Sequence, residues 1–289
     1  TIWDDPVACA LMLSGQKSAH RNLVEEVRAL ADKLNAQSML EPGLRRRLLI
    51  LSLLIAYLEE RSVLLAEDFA RALPGANTFF EVLADGSALI ALLANLEDRF
   101  NGHVFSLTQE ERNALTASAD LKEFARLVEG FEDASGQMAL WRLYSFRDLP
   151  VELISNIYQL FVKDTACSIY TPPALVRLIL DGALSWSRLG ELMAGDGVIL
   201  DPACGSGVFL VEAYKRLILH WRAANEWEQP DVDTLRGLMG RIHGIDLEDG
   251  AVELAAFSLC LSLCDALEPE DIRSSVKLFP GLADVTLHS

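Results

Sequence analysis

Apolar positions along the first 150 residues recur at steps of three and four, and no stretch alternates with a period of two. That pattern predicts helices throughout this half. Residues 17–36 set Leu23, Val27, Leu30 and Leu34 on one face of an amphipathic helix. Pro42-Gly43 separates it from a second helix reaching Leu58, apolar nearly all round and therefore expected at the centre of a bundle. Residues 88–96 and 121–128 predict two more helices. Ser106 or Thr108 is expected to cap another, because acidic residues fill the turn that follows.

The pattern changes after residue 150. Pro150 opens a helix over residues 153–162, and Thr171-Pro172 supplies a cap and a first helical residue for a helix over 172–184. Val198, Ile199 and Leu200 form an unbroken apolar run, which predicts a fully buried strand. Asp201 ends it, Gly205 and Gly207 make a tight turn, and helical spacing resumes over residues 208–219. Residues 221–230 interrupt as a polar excursion, 233–239 return to helix, and 241–247 read as a second strand ending in Asp246. Glu248 or Asp249 then caps a helix running to Ala266. A strand, a glycine turn and a helix bring bare backbone to a ligand at a helix N-terminus. A carboxylate at the end of the next parallel strand suits the two hydroxyls of a ribose. In dinucleotide-binding folds that acid lies about 20 residues past the glycines. Asp246 lies almost twice as far on, which disfavours a nicotinamide dehydrogenase.

Composition narrows the partners. Half the 289 residues are apolar, and the formal net charge of −17 argues against gripping a phosphate backbone over a broad surface. Contact with DNA would need a local basic patch or another segment. The most apolar stretch, residues 48–58, is too short for a bilayer and is bracketed by Arg45-Arg46-Arg47 and Glu59-Glu60-Arg61, so no membrane partner is expected. Five scattered cysteines and no signal peptide fit a reducing cytoplasmic setting. Cys260 and Cys264, four apart on one helix, read as core residues, and Cys204 as a small packing residue within the turn. His243 reads as a hydrogen-bonded strand residue.

Asp201-Pro202-Ala203-Cys204-Gly205-Ser206-Gly207-Val208-Phe209-Leu210 resembles motif I of the amino-group DNA methyltransferases. Gly244-Ile245-Asp246-Leu247, followed by Ala251 and Leu254-Ala255, is similar to motif II of the large adenine methyltransferases, and Tyr170-Thr171-Pro172 to motif X. Motif X standing ahead of motif I is the gamma order of that family. Upstream, Leu58-Glu59-Glu60-Arg61 and Phe100-Asn101-Gly102-His103-Val104-Phe105 resemble a helix and turn of large restriction–modification methylases. Pro150-Val151-Glu152 through Ile157-Tyr158 resembles their connecting string, with Gln159 where Glu is usual. Residues 276–289 resemble the approach to motif III.

The periodicity of residues 1–150 makes them an all-helical domain. Over residues 151–289 the resemblance implies the start of an α/β Rossmann-like class I methyltransferase domain, a truncated doubly wound sheet. It implies S-adenosylmethionine as cofactor, held by Tyr170, Thr171, Pro172, Asp201, Ala203, Gly205, Gly207, Phe209, Asp246 and Leu247. Asp201 is expected near the cofactor's ammonium and Asp246 at its ribose. The family methylates adenine N6 through an (Asn/Asp)-Pro-Pro-(Tyr/Phe) loop that faces the flipped base. The only Pro-Pro here is Thr171-Pro172-Pro173-Ala174, which lacks both the acceptor and the aromatic ring. With Thr1 in place of Met, the chain is expected to be part of a longer enzyme. That enzyme would be a site-specific adenine methyltransferase of a restriction–modification or phage-defence system. The part in hand is expected to be inactive alone. DNA would be engaged by further segments, with nuclease or specificity domains as additional partners. An RNA or protein methyltransferase, or a scaffold with a vestigial site, are the alternatives the residues leave open.

Overall fold

A computed structural model describes residues 40–100, 105–118, 121–129, 171, 173–275, 277–279, 281–282 and 285–289. The helices expected over 17–36 and 153–162, and the strings at 101–104 and 144–170, lie outside the described residues.

Helix α1 (Pro42–Glu60) takes in the Pro-Gly pair expected to precede it: Pro42 stands at its first position, and the Glu41 carboxylate accepts the N–H of Leu44 at 3.0 Å. It is central to the bundle. Leu44, Leu48, Leu51, Ile55 and Leu58 form one buried stripe, and Leu49, Ala56 and Tyr57 are buried on the faces away from it. Ser52, also buried, donates to the carbonyl of Leu48 at 2.6 Å. The bundle continues through α2 (Ala66–Ala72), α3 (Phe79–Leu83), which packs on α1, α4 (Gly86–Phe100), α5 (Gln109–Ala117) and α6 (Leu121–Glu129). Helix α4 buries Leu89, Leu92, Leu93, Leu96 and Phe100 at the expected three- and four-residue steps. Of the two candidate caps of α5, Thr108 takes the role: its Oγ1 accepts the N–H of Glu111 at 3.2 Å, and Glu111 Oε2 accepts the N–H of Thr108 at 2.8 Å. The Ser106 hydroxyl instead donates to Glu97.

Burial gives α1 a titrating group at its end. The half-buried Glu59 carboxyl accepts the N–H of Phe79, and desolvation pushes it up to about 7, with Glu60 and Glu81 adding like charge. Its native value lies above the unfolded one. The native state therefore holds this proton more tightly, and stability falls as pH rises from about 4.5 to about 7. Glu59→Gln is expected to raise the melting temperature over the parent by an amount that grows between pH 5.5 and pH 8. An equal difference at both pH values would contradict the burial of a charge here.

Helices α7 (Pro173–Ala183) and α8 (Trp186–Ala194) lead to strand β1 (Ile199–Asp201), the turn and helix α9 (Val208–Ala224). Then follow α10 (Val232–Met239), β2 (Ile242–Ile245), α11 (Asp249–Asp265), α12 (Pro269–Ser274) and β3 (Leu287–His288). The strands form a parallel sheet in the order β1-β2-β3, with Ile199 opposite Ile242 and Gly244 opposite Leu287. Helices α9 and α11 pack on each other and cover the face bearing Ile242, Gly244 and Leu287.

Two expectations need correction. The apolar run at β1 is not a fully buried strand: Val198 and Leu200 are 55% and 54% exposed. Side chains alternate across a strand. Leu200, His243, Ile245 and His288 therefore share the opposite face of the sheet, where Leu200 and Ile245 are exposed among the described residues. Helix α9 also runs to Ala224 rather than Leu219, because the partly buried Ile218 and Trp221 continue its apolar face onto the core. The excursion shrinks to residues 225–230, where Glu226 and Trp227 adopt left-handed backbone at φ 53° and 66°.

The helical part and the sheet share one contiguous core running from Leu40 to Leu287. Phe100 and Phe105 pack against Phe279, with ring centroids 5.7 and 6.3 Å away, and Phe279 N donates to the carbonyl of Phe100 at 2.7 Å. The expected boundary near residue 150 lies outside the described residues. Among these residues no helix is long and apolar enough to cross a membrane.

Candidate functional site

The C-terminal ends of β1 and β2 meet at one point, the usual place for a ligand in an open α/β sheet. β1 ends in Asp201, whose Oδ1 accepts the N–H of Ala203 at 3.1 Å and starts the turn. Gly205 and Gly207 both take left-handed backbone, at φ 52° and 78°. Their surroundings differ. A Cβ at Gly207 would lie 2.9 Å from the Cα of Ala255 on α11, whereas one at Gly205 would meet nothing within 4 Å. Gly207 is thus a packing glycine, and Gly205 faces open space.

The turn is tied to the end of β2. Cys204 donates its N–H to the carbonyl of Ile245 at 2.9 Å, and Gly205 donates its N–H to Asp246 Oδ2 at 2.8 Å. The other carboxylate oxygen of Asp246, Oδ1, accepts the N–H of Glu248 at 3.1 Å. One carboxylate therefore spans both turns while each oxygen keeps a further lone pair. Beneath them, buried Ser258 donates to the carbonyl of Ser206 at 3.1 Å, anchoring the turn to α11.

Asp201 and Asp246 are close enough for their charges to interact. Burial, and after it the charge of Asp246, push the Asp201 carboxyl up, while the N–H of Ala203 partly offsets the shift. Among the described residues neither acid is paired with a cation. Cys204 lies buried behind them, its thiol pushed up to about 12 by burial and by the two carboxylates, so it is a packing group and not a thiolate. Cys260 and Cys264 are buried on α11, and burial raises both thiols as well. Among the described residues no group of three metal-binding side chains occurs.

The structure therefore gathers Asp201, Ala203, Gly205, Gly207, Phe209, Asp246 and Leu247 at one end of the sheet. Phe209 is half-buried in the first turn of α9, and Leu247 stands 98% exposed beside Asp246. Thr171 is half-buried just ahead of α7. That helix is held on α9 by Arg216, which pairs with Asp181 at 2.8 Å and donates to the carbonyl of Arg177. Tyr170 and Pro172 lie outside the described residues. Gly244 was missed as a site residue: a Cβ there would lie 2.7 Å from Leu210 and 3.0 Å from Cys204 Sγ, directly under the turn. A glycine inside a strand was its signal.

Residues 187–273 match the family model of the MmeI DNA-methyltransferase domain. The match begins in α8 and takes in the glycine turn, Asp246 and α11. The chain is also 33% identical over 88 residues to a putative type II restriction enzyme and methyltransferase of Methanocaldococcus jannaschii, an alignment covering 29% of this chain and 8% of that protein. It is 30% identical over 103 residues to the adenine-specific methyltransferase PglX of Streptomyces coelicolor, covering 35% and 8%. The chain thus spans under a tenth of the curated relatives it matches. No solved structure matches it significantly. The resemblance is to methyltransferases of the restriction and modification kind, and the helical region followed by a parallel sheet agrees with the start of their Rossmann-like domain.

Proposed function

We propose that this chain carries the S-adenosylmethionine pocket of a site-specific DNA adenine-N6 methyltransferase of a restriction–modification or phage-defence system. One observation carries the reading: two carboxylates without cationic partners among the described residues converge on a glycine turn whose open side faces outward. A ligand that fits them brings positive charge and a pair of hydroxyls, and it runs close to bare backbone. S-adenosylmethionine has all three features, and when bound it supplies a methyl group on a sulfonium for transfer to a nucleophile. Asp201 holds the ammonium and the backbone at Gly205 admits the methionine chain. The free lone pairs of Asp246 accept the ribose hydroxyls, and Leu247 lies against the adenine. The likeness of Tyr170-Thr171-Pro172 to motif X adds these residues to the methionine end of the site. DNA as substrate rests on the family match, and adenine on the printed name of the Streptomyces relative. Contact with DNA, and any nuclease or specificity partner, belongs to the whole protein.

Calorimetry tests the reading. The chain is expected to bind S-adenosylmethionine at one site and to show no heat with NAD. No heat with the methyl donor at millimolar concentration would overturn it. The 289 residues contain no (Asn/Asp)-Pro-Pro-(Tyr/Phe) sequence. Labelled donor is therefore expected to bind without transfer to DNA, and methylated adenine would overturn that part.

A further inference from the structure

We propose that Arg61, in the helical region, positions the methyl-donor pocket by clamping the far end of α11. This rests on the donor reading above. Arg61 follows directly on α1, and its side chain is only 13% exposed. Its guanidinium donates to the carbonyl of Cys264 at 2.9 Å through Nη1 and to that of Leu267 at 2.8 Å through Nη2. Cys264 lies in the last turn of α11 and Leu267 two residues past its end, where the helix dipole concentrates negative charge; the Cys264 carbonyl also accepts the N–H of Leu267 at 3.2 Å. Asp265 adds an ion pair at 3.6 Å. The guanidinium is itself held in place: Nη1 donates to the hydroxyl of buried Tyr57 at 2.8 Å, with the tyrosine ring 5.6 Å away.

The other end of α11 is the pocket. Glu248, at the N-cap position, donates its backbone N–H to Asp246, while midway along the helix Ala255 abuts Gly207 and Ser258 donates to the carbonyl of Ser206. Between the two ends the helix is almost wholly buried from Val252 to Cys264. A closely packed helix of 17 residues responds to a pull at one end as a rod about 25 Å long. The clamp therefore fixes how far α11 extends toward the turn, and with it the spacing of Asp246 and Gly205. Arg61 acts through α11 and touches neither carboxylate, so it is a positioning residue.

The test compares Arg61→Ala, Arg61→Lys and Tyr57→Phe with a control, Leu115→Ala, a buried residue of α5 outside the clamp. Folded populations are first matched by urea titration. Hydrogen exchange without ligand is then read for the peptides covering residues 202–207 and 246–252. Arg61→Ala is expected to speed exchange in both, Arg61→Lys and Tyr57→Phe less, and Leu115→Ala in neither. Affinity for S-adenosylmethionine is expected to fall about tenfold in Arg61→Ala and to stay unchanged in Leu115→Ala. Unchanged exchange at both peptides in Arg61→Ala overturns the clamp, whatever the parent does with the donor. If Arg61→Ala does not fold, Tyr57→Phe decides by the same readout. A parent chain that fails to bind the donor overturns the donor reading and leaves the exchange result standing.

Discussion

Gly207→Ala is expected to destabilise the protein by about 2–5 kcal/mol, while Gly205→Ala costs about 1–2 kcal/mol. The two glycines are two residues apart and share a left-handed backbone, so the same conformational penalty of about 1–2 kcal/mol falls on both. The difference comes from the neighbours. At Gly207 the added methyl carbon lands 2.9 Å from the Cα of Ala255, a backbone atom of a helix held along its whole length, so α9 and α11 must separate. Overpacking of that kind adds about 1–3 kcal/mol. At Gly205 the methyl enters open space, which the proposed function fills with ligand. Stability should then fall by the backbone penalty of about 1–2 kcal/mol alone, while donor affinity falls sharply. Chemical denaturation and calorimetry on the two variants separate the roles. Equal loss of stability would contradict the packing argument, and full donor affinity in Gly205→Ala would remove the ligand from that side of the turn.

Asp246→Ala is expected to abolish measurable donor binding and to loosen the turn as well. Two backbone N–H groups, those of Gly205 and Glu248, lose a charged acceptor. Hydrogen bonds to a charged group contribute about 1.5–3 kcal/mol each where water cannot replace them. Because this acid is only half-buried, the expected loss for the pair is about 2–3 kcal/mol. Asp246→Asn is the informative partner. An amide has one acceptor oxygen and one donor group, so it can satisfy Gly205 or Glu248 but must point N–H at N–H for the other. It should retain part of the stability and little of the affinity. Wild-type affinity in the asparagine variant would show that the carboxylate serves the fold and not a ribose.

Much of this arrangement was readable from residue order, because it is local. The cap at Thr108, the glycine turn after Asp201 and the acid closing β2 each follow from a few neighbouring residues. What escaped depends on distant ones. Val198-Ile199-Leu200 has the same apolarity whether both faces of the strand are covered or one, and only the helices show that Leu200 is left outside. Asp246 was expected at a ribose, yet its bond to the Gly205 N–H spans 41 positions and is invisible to any local pattern. Trp221, read as part of a loop, turned out to prolong α9 because the core beside it accepts another turn of apolar surface.

Arg61 and the carbonyl of Cys264 are separated by 203 positions. On a ribosome adding about 5–20 residues per second, the arginine emerges roughly 10–40 s before its acceptor exists. During that interval α1 through α6 must shield their apolar surface without α11. The pocket at the other end of α11 is completed only when the late-synthesised end of that helix reaches the earliest helices of the described structure. Synthesis order thus makes a finished bundle the precondition for a finished pocket, and slowing translation between residues 61 and 264 lengthens the time for which the bundle stands alone.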